Sequence, residues 1–194
     1  MKFCILVFCL LSSTVLSKAQ QDTVLPIDEQ GKLIYYELVH TDQVSKDSLK
    51  NRAVRFLNKK DTGLKLKSVL GDTATEASGK FVISKTLLVM SHPSGEVLYQ
   101  FHVEYKEGKY RFWMTNFLFI PYQRDRYGNF VAASSVGMPL ENMPGKLNAS
   151  QWKEYQVQAT ASAKQMAQKF KLAMENQVQP TTVPAATKIV KKSW

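Results

Sequence analysis

The sequence predicts an α+β domain of two layers, with two helices covering one face of an antiparallel sheet. Three observations carry this. Stretches 45–60 and 150–176 place apolar residues at steps of three and four, the period of a helix with one buried stripe. Residues 96–120 instead alternate apolar and polar side chains about Glu107-Gly108, the period of a half-buried hairpin. The elements follow the order strand, helix, four strands, helix. Two amphipathic helices and one sheet can bury their stripes only if both helices lie on the same sheet face.

The first residues read as an export signal. Lys2 precedes an unbroken apolar run of nine residues, Phe3 to Leu11, and Ser17-Lys18-Ala19 sets small residues at −3 and −1 of a cleavage point after Ala19. The run is shorter than the ~20 residues that span a bilayer. The division expected is signal peptide 1–19, lead-in 20–32, one domain 33–176 with a long connection at 121–149, and a disordered basic tail 177–194. Cys4 and Cys9 are the only cysteines and both fall in the leader. Val7 and Phe8 are bulky where a lipoprotein signal needs small residues. The processed chain therefore has no disulfide, thiolate metal site or cysteine nucleophile. A cysteine-free exported chain fits a bacterial periplasm or cell surface better than a eukaryotic secreted framework.

Within the domain, Leu33 to Val39 is rich in aromatic and branched residues and reads as a strand. Ser45 is a candidate N-cap, Asp47 suits the first turn, and Leu49, Ala53, Phe56 and Leu57 form the stripe of the first helix. Leu64 to Leu70 reads as a strand, Gly71 to Gly79 as a polar turn region and Lys80 to Met90 as a longer strand. His92-Pro93-Ser94-Gly95 reads as a type I turn. A two-residue loop at Glu107-Gly108 then sets Tyr105 opposite Tyr110, Val103 opposite Phe112 and Phe101 opposite Met114. On the other face it sets Glu104 opposite Arg111 and His102 opposite Trp113. Apolar meets apolar and opposite charges meet, so the register is self-consistent. Phe117 to Ile120 is apolar on both faces and is expected to be covered twice.

The connection 121–149 is longer than most structureless loops. It reads either as a functional loop or as a short strand near 129–134 followed by a crossover on the sheet. Ser150 is a candidate cap for the last helix, whose stripe is Trp152, Tyr155, Ala159, Ala163, Met166, Phe170 and Ala173. Its alanines favour packing on the sheet, while Lys153, Lys164, Lys169 and Lys171 suit a membrane surface.

At this point a family resemblance enters. Leu25-Pro26-Ile27-Asp28, Gly31-Lys32-Leu33-Ile34-Tyr35, Val44-Ser45-Lys46-Asp47-Ser48-Leu49 with Asn51-Arg52-Ala53, and Glu107-Gly108-Lys109-Tyr110-Arg111-Phe112 occur in that order. Together they resemble a bacterial exported family, domain of unknown function DUF4468, with a TBP-like fold. The resemblance spans residues 24–120 and implies a β-α-β4-α topology. It supplies no catalytic residues. The same general fold holds TATA-box binders, which use the sheet, and carriers that enclose greasy ligands beneath a long helix. Fold alone does not choose between them.

Little in the sequence points to catalysis. His40, His92 and His102 share no metal-ligand spacing, and there is no nucleophile elbow, phosphate loop or dinucleotide fingerprint. No cofactor or metal is expected. Asp125 and Glu141 leave a carboxylate pair open, whereas Asp72, Glu76 and Arg124-Asp125-Arg126 read as solvated charge. Asn148-Ala149-Ser150 reads as a helix start rather than a glycosylation site. The formal charge of +10 falls to +8 with loss of Lys2 and Lys18. It reads as solubility or as attraction to anionic lipid or polysaccharide; export argues against nucleic acid.

The unusual feature is eleven aromatic residues within the 32 positions from Tyr99 to Phe130. They form either a plain core or a pocket for an apolar ligand among Phe101, Phe112, Met114, Tyr155, Met166 and Phe170. Trp113 falls on the polar sheet face. The connection 121–149 is expected to cover it through Tyr122, Tyr127 or Phe130, with a partner surface nearby. The leading expectation is an exported, non-enzymatic binding or interaction module of the bacterial envelope, with an envelope protein, lipid or apolar small molecule as partner. The alternative is a carrier or sensor of a small hydrophobic ligand.

Overall fold

A computed structural model describes residues 24–87, 90–145 and 148–175. The expected leader and basic tail lie outside them. The elements are β1 (Tyr35–His40), α1 (Lys46–Leu57), β2 (Lys65–Leu70), β3 (Ala74–Leu87), β4 (Met90–Lys106), β5 (Lys109–Arg124), β6 (Phe130–Ala132), β7 (Met138–Pro139) and α2 (Ala149–Glu175). The antiparallel sheet has the order β1-β5-β4-β3-β2, with β6 and β7 both paired to β5. This is the expected α+β class, with a long C-terminal helix.

The central hairpin forms in the register its alternation dictates: Tyr105 opposite Tyr110, Val103 opposite Phe112, Phe101 opposite Met114, Glu104 opposite Arg111 and His102 opposite Trp113. Helix α1 starts at the expected cap, where Ser45 Oγ accepts from Ser48 N at 3.3 Å. It ends at Leu57, and Lys60–Thr62 form a separate 3₁₀ turn. Its buried residues are the predicted stripe, Leu49, Ala53, Phe56 and Leu57. Helix α2 buries Trp152, Tyr155, Ala159, Ala163, Met166 and Phe170 against the sheet side of the core. No helix among the described residues is long and apolar enough to cross a membrane.

Four expectations are corrected. Residues Ala74 to Gly79 belong to β3 rather than to a turn and pair with Glu104 to Tyr99 of β4. Thr75 and Ala77 are small enough to face the core, and Glu76 and Ser78 face out, so a polar-looking stretch is an ordinary half-buried strand. His92 to Gly95 likewise lie inside β4, not in a turn. Pro93 pairs with Ser84 and Gly95 with Ile83, which leaves Ser94 as the extra residue of a bulge, a position where a strand tolerates proline. Ser150 does not cap α2, because the helix already includes Ala149.

The fourth correction concerns the connection 121–149. It does not fold across Trp113. Strand β5 has 16 residues and β1 only six, so most of one edge of β5 needs other partners for its backbone. The connection supplies them: β7 pairs with Leu118 and Phe119, and β6 pairs with Tyr122 to Arg124. It then crosses to the helix side, where Leu140 is fully buried and its carbonyl accepts from Trp152 Nε1 at 2.8 Å. The expected short strand near 129–134 is β6.

Candidate functional site

The helix side of the sheet is closed by aromatic packing. Phe170 enters from α2 with ring centroids 5.0 Å from Phe112, 5.1 Å from Phe101, 5.3 Å from Phe56 and 5.8 Å from Tyr110. All four contacts are edge-on, the favoured geometry for aromatic pairs. Phe101, Phe112, Met114 and Phe170 are fully buried. Of the six residues expected to line an apolar pocket, Tyr155 sits apart. It stacks on Phe119 at 4.6 Å, and its hydroxyl shares a 2.7 Å hydrogen bond with Ser94 Oγ. Met166 lies at the margin, facing a groove between α1 and α2.

On the other face, Trp113 is half-buried among neighbours of its own surface. His102 stacks beside it at 5.1 Å, and the Arg111 guanidinium lies 5.8 Å from its ring. The residues expected to accompany it are elsewhere. Tyr122 is nine positions along the same strand, ~30 Å away at strand rise. Tyr127 is exposed beside Arg126 in the β5–β6 turn, and Phe130 lies between His92 and Arg124. Asp125 closes that turn by accepting from the backbone N–H groups of Tyr127 and Asn129.

The most developed feature of the open face is one that sequence reasoning missed. It is a groove of about 530 Å³ across β2, β3, β4 and β5, within the ~300–1,000 Å³ usual for small-molecule sites. Two bulges shape it. In β5, Asn116 and Phe117 oppose the single residue Tyr99 of β4. Asn116 takes a left-handed φ of 54°, which asparagine tolerates. This extra residue turns Phe117 inward, where it is fully buried, and leaves Leu118 facing out beside Leu98. In edge strand β2, the register shifts between Leu66 and Ser68, so Lys67 is the bulged residue.

The floor is Leu98 and Leu118, both half-buried; the walls carry Lys65, Lys67, Lys80, Ser78 and Gln100. Asn116 is held from both sides, accepting from Lys32 Nζ at 2.6 Å and donating to Gln100 Oε1 at 2.6 Å. The carboxylate of the lining, Glu96, accepts from Lys80 Nζ and from the Tyr122 hydroxyl, each at 2.8 Å. Burial works against its charge, but those hydrogen bonds outweigh burial and hold its carboxyl below the ordinary glutamate value. The groove thus presents ammonium groups and amides around an aliphatic floor. Its one acid is already bound twice.

Residues 35–119 match the family model described as a domain of unknown function (DUF4468) with TBP-like fold. Two solved structures share the architecture. A TBP-like protein from Parabacteroides distasonis is 12% identical with a TM-score of 0.56, covering 78% of this chain and 97% of its own. A DUF4468 family protein from Bacteroides ovatus is 13% identical with a TM-score of 0.56, covering 81% and 94%. No curated protein matches the chain. These findings bear out the family resemblance, the match beginning at Tyr35 and taking in the first helix and the hairpin loop. At such identity the structures speak to the fold alone.

Proposed function

From a chain that matches DUF4468 over residues 35–119 and has a TBP-like fold, we propose a non-enzymatic binding module of the bacterial envelope that takes its ligand on the open face of its sheet. One observation carries this reading: the two sheet faces are finished differently. The helix face is filled, with Phe170 wedged among four rings. The open face keeps a groove of about 530 Å³ whose polar groups converge on an apolar floor, the make-up of a ligand site. Export rests on the leader pattern at 1–19 and on the confinement of both cysteines to it. The alternative, a hydrophobic ligand held between sheet and α2, asks for space that Phe170 occupies.

The test is native mass spectrometry of the protein purified from its own host, together with sequencing of its N-terminus. The expected result is a chain beginning at Gln20 that carries a bound mass. Leu118→Arg, which sets a charge across the groove floor, is expected to lose that mass while remaining folded. A bound mass undiminished in Leu118→Arg would place the ligand elsewhere and overturn the open-face reading. An intact leader in the cytoplasm would overturn export.

A further inference from the structure

We infer that the groove on the open sheet face recognises a single-chain amphiphile with an anionic head, a phosphate or carboxylate on an aliphatic tail. This rests on the open-face reading above and names its ligand class. Charge is distributed unevenly along the groove. Lys65 and Lys67 are exposed at the β2 end of the groove, and among the described residues neither forms an ion pair. Lys80 is different: its ammonium is held by Glu96 at 2.8 Å. The two ends of the groove therefore differ. At the β3–β5 end the positive charge is neutralised from within, and at the β2 end two ammonium groups lack a counter-charge. An anionic head belongs at the β2 end, where charge-assisted hydrogen bonds from lysine are available.

The floor suits an aliphatic tail. From β2 the groove crosses β3 and β4 to β5, about 14 Å at the spacing of adjacent strands. On β3 the short side chain of Ser78 faces the groove beside Lys80, and beyond them lie Leu98 and Leu118, half-buried and aliphatic. A tail lying across them would remove their exposed surface from water. The same floor argues against nucleic acid. Bases bind open sheets by stacking on aromatic side chains, whereas the aromatic residue here, Tyr99, turns inward onto Phe81 at 4.2 Å. A peptide strand is also disfavoured. The edge it would join is β2, which the Lys67 bulge and the two lysines blunt against strand addition.

The probes are n-decyl phosphate below its micelle concentration, inorganic phosphate (head alone) and n-decyl maltoside (tail with a neutral head). Each is titrated into the ¹⁵N-labelled protein purified from the envelope. Decyl phosphate is expected to give saturable amide shifts in residues 65–67, 78–80, 98–100 and 116–118. It should bind at least roughly tenfold tighter than either other probe, the worth of one hydrogen-bonded charge. The double variant Lys65→Gln/Lys67→Gln should keep its spectral dispersion and lose roughly tenfold or more in affinity. If decyl maltoside binds equally well, the groove reads the tail alone; the anionic class falls while open-face binding stands. If the shifts appear instead around Arg55, Lys59 and Lys169, which line the second basic groove between the helices, the inference is wrong about the site. Flotation on phosphatidylglycerol vesicles with the groove amides unmoved by the monomer would also overturn it, by assigning the lysines to a membrane surface.

Discussion

Replacing Phe170 with alanine tests whether the helix face is a finished core. The side chain is fully buried and meets four rings edge-on within 6 Å. Deleting a buried phenyl group costs about 3–5 kcal/mol, the transfer term plus the cavity left behind. Each edge-on pair adds ~0.5–1.5 kcal/mol beyond burial, but four pairs sharing one ring are not additive. We take ~4 kcal/mol. For a domain of about 150 described residues, each kcal/mol lowers Tm by about 2–4 °C, so Phe170→Ala should melt roughly 8–16 °C lower. Urea unfolding followed by far-ultraviolet circular dichroism gives the free energy, and calorimetry gives the midpoint. Phe170→Leu, which leaves most of the volume filled, should lose much less. A Phe170→Ala loss below ~1 kcal/mol would refute the reasoning. It would mean that the interface has slack, as a carrier of hydrophobic ligands requires.

Other expectations follow from the same geometry. Gly95 lies where a Cβ would come within 2.4 Å of the Ile120 carbonyl oxygen and 2.6 Å of the Phe119 ring; backbone cannot retreat as a side chain can, so Gly95→Ala should cost about 3 kcal/mol in urea unfolding, and an unchanged midpoint would contradict the packing. Ser45→Ala should cost about 1 kcal/mol through loss of the α1 cap, with Ser45→Asn restoring most of it. Burial pushes the Tyr105 phenol up from 10.0 to about 12. Its folded pKa exceeds its unfolded one, so this stability is complete below pH 10 and lost as pH rises toward 12; Tyr105→Phe should flatten that decline in pH-dependent melting. For Glu96 the sign reverses. Its lowered carboxyl contributes stability above the ordinary glutamate range that is lost as pH falls through the folded value, and Lys80→Met should weaken that acid dependence.

The parts of the fold legible in the sequence are those where one local pattern has one structural answer. The strict alternation from Val97 to Tyr105 fixes which side chains face the core, and the two-residue loop at Glu107-Gly108 then fixes their partners across the hairpin. The stripe of α1 and its Ser45 cap are equally local. Legibility failed where a residue's role depends on a distant element. Thr75 to Ser78 look like turn residues because they are small and polar, yet β4 supplies a complete set of partners for their backbone. His92-Pro93-Ser94-Gly95 has turn composition, but these residues lie within β4, whose pairing with β3 already begins at Met90 opposite Leu87. Ser94 bulges to meet the Tyr155 hydroxyl, and Gly95 is needed for the close approach of β5. No window of sequence around residue 94 contains either partner.

The groove was hidden for the same reason, and its concealment has a physical cause. A strict period of two carried from Trp113 along β5 would put Phe117 on the open face and Leu118 in the core. The structure does the reverse, because the extra residue at Asn116 shifts the phase. One bulge thus moves a phenyl ring into the core beside Tyr99, with ring centroids 6.1 Å apart. It also brings Leu118 out beside Leu98 to make an aliphatic floor. Beyond the bulge the open face continues as Glu96 opposite Ile120, and Glu96 is bound there by Lys80 and Tyr122. In the sequence, Lys65 and Lys67 fall within one strand, Leu64 to Leu70, and Lys80 opens a longer one, Lys80 to Met90, with nothing to connect them. They acquire a shared target only when the register across four strands is known. If Asn116 paired as an ordinary strand residue instead of bulging, the phase of β5 would carry Leu118 inward and the floor would be lost. Asn116→Val, whose β-branched side chain resists the left-handed backbone of the bulge, should therefore weaken ligand binding even in a chain that still folds, whereas Asn116→Gly, which preserves that backbone, should keep it.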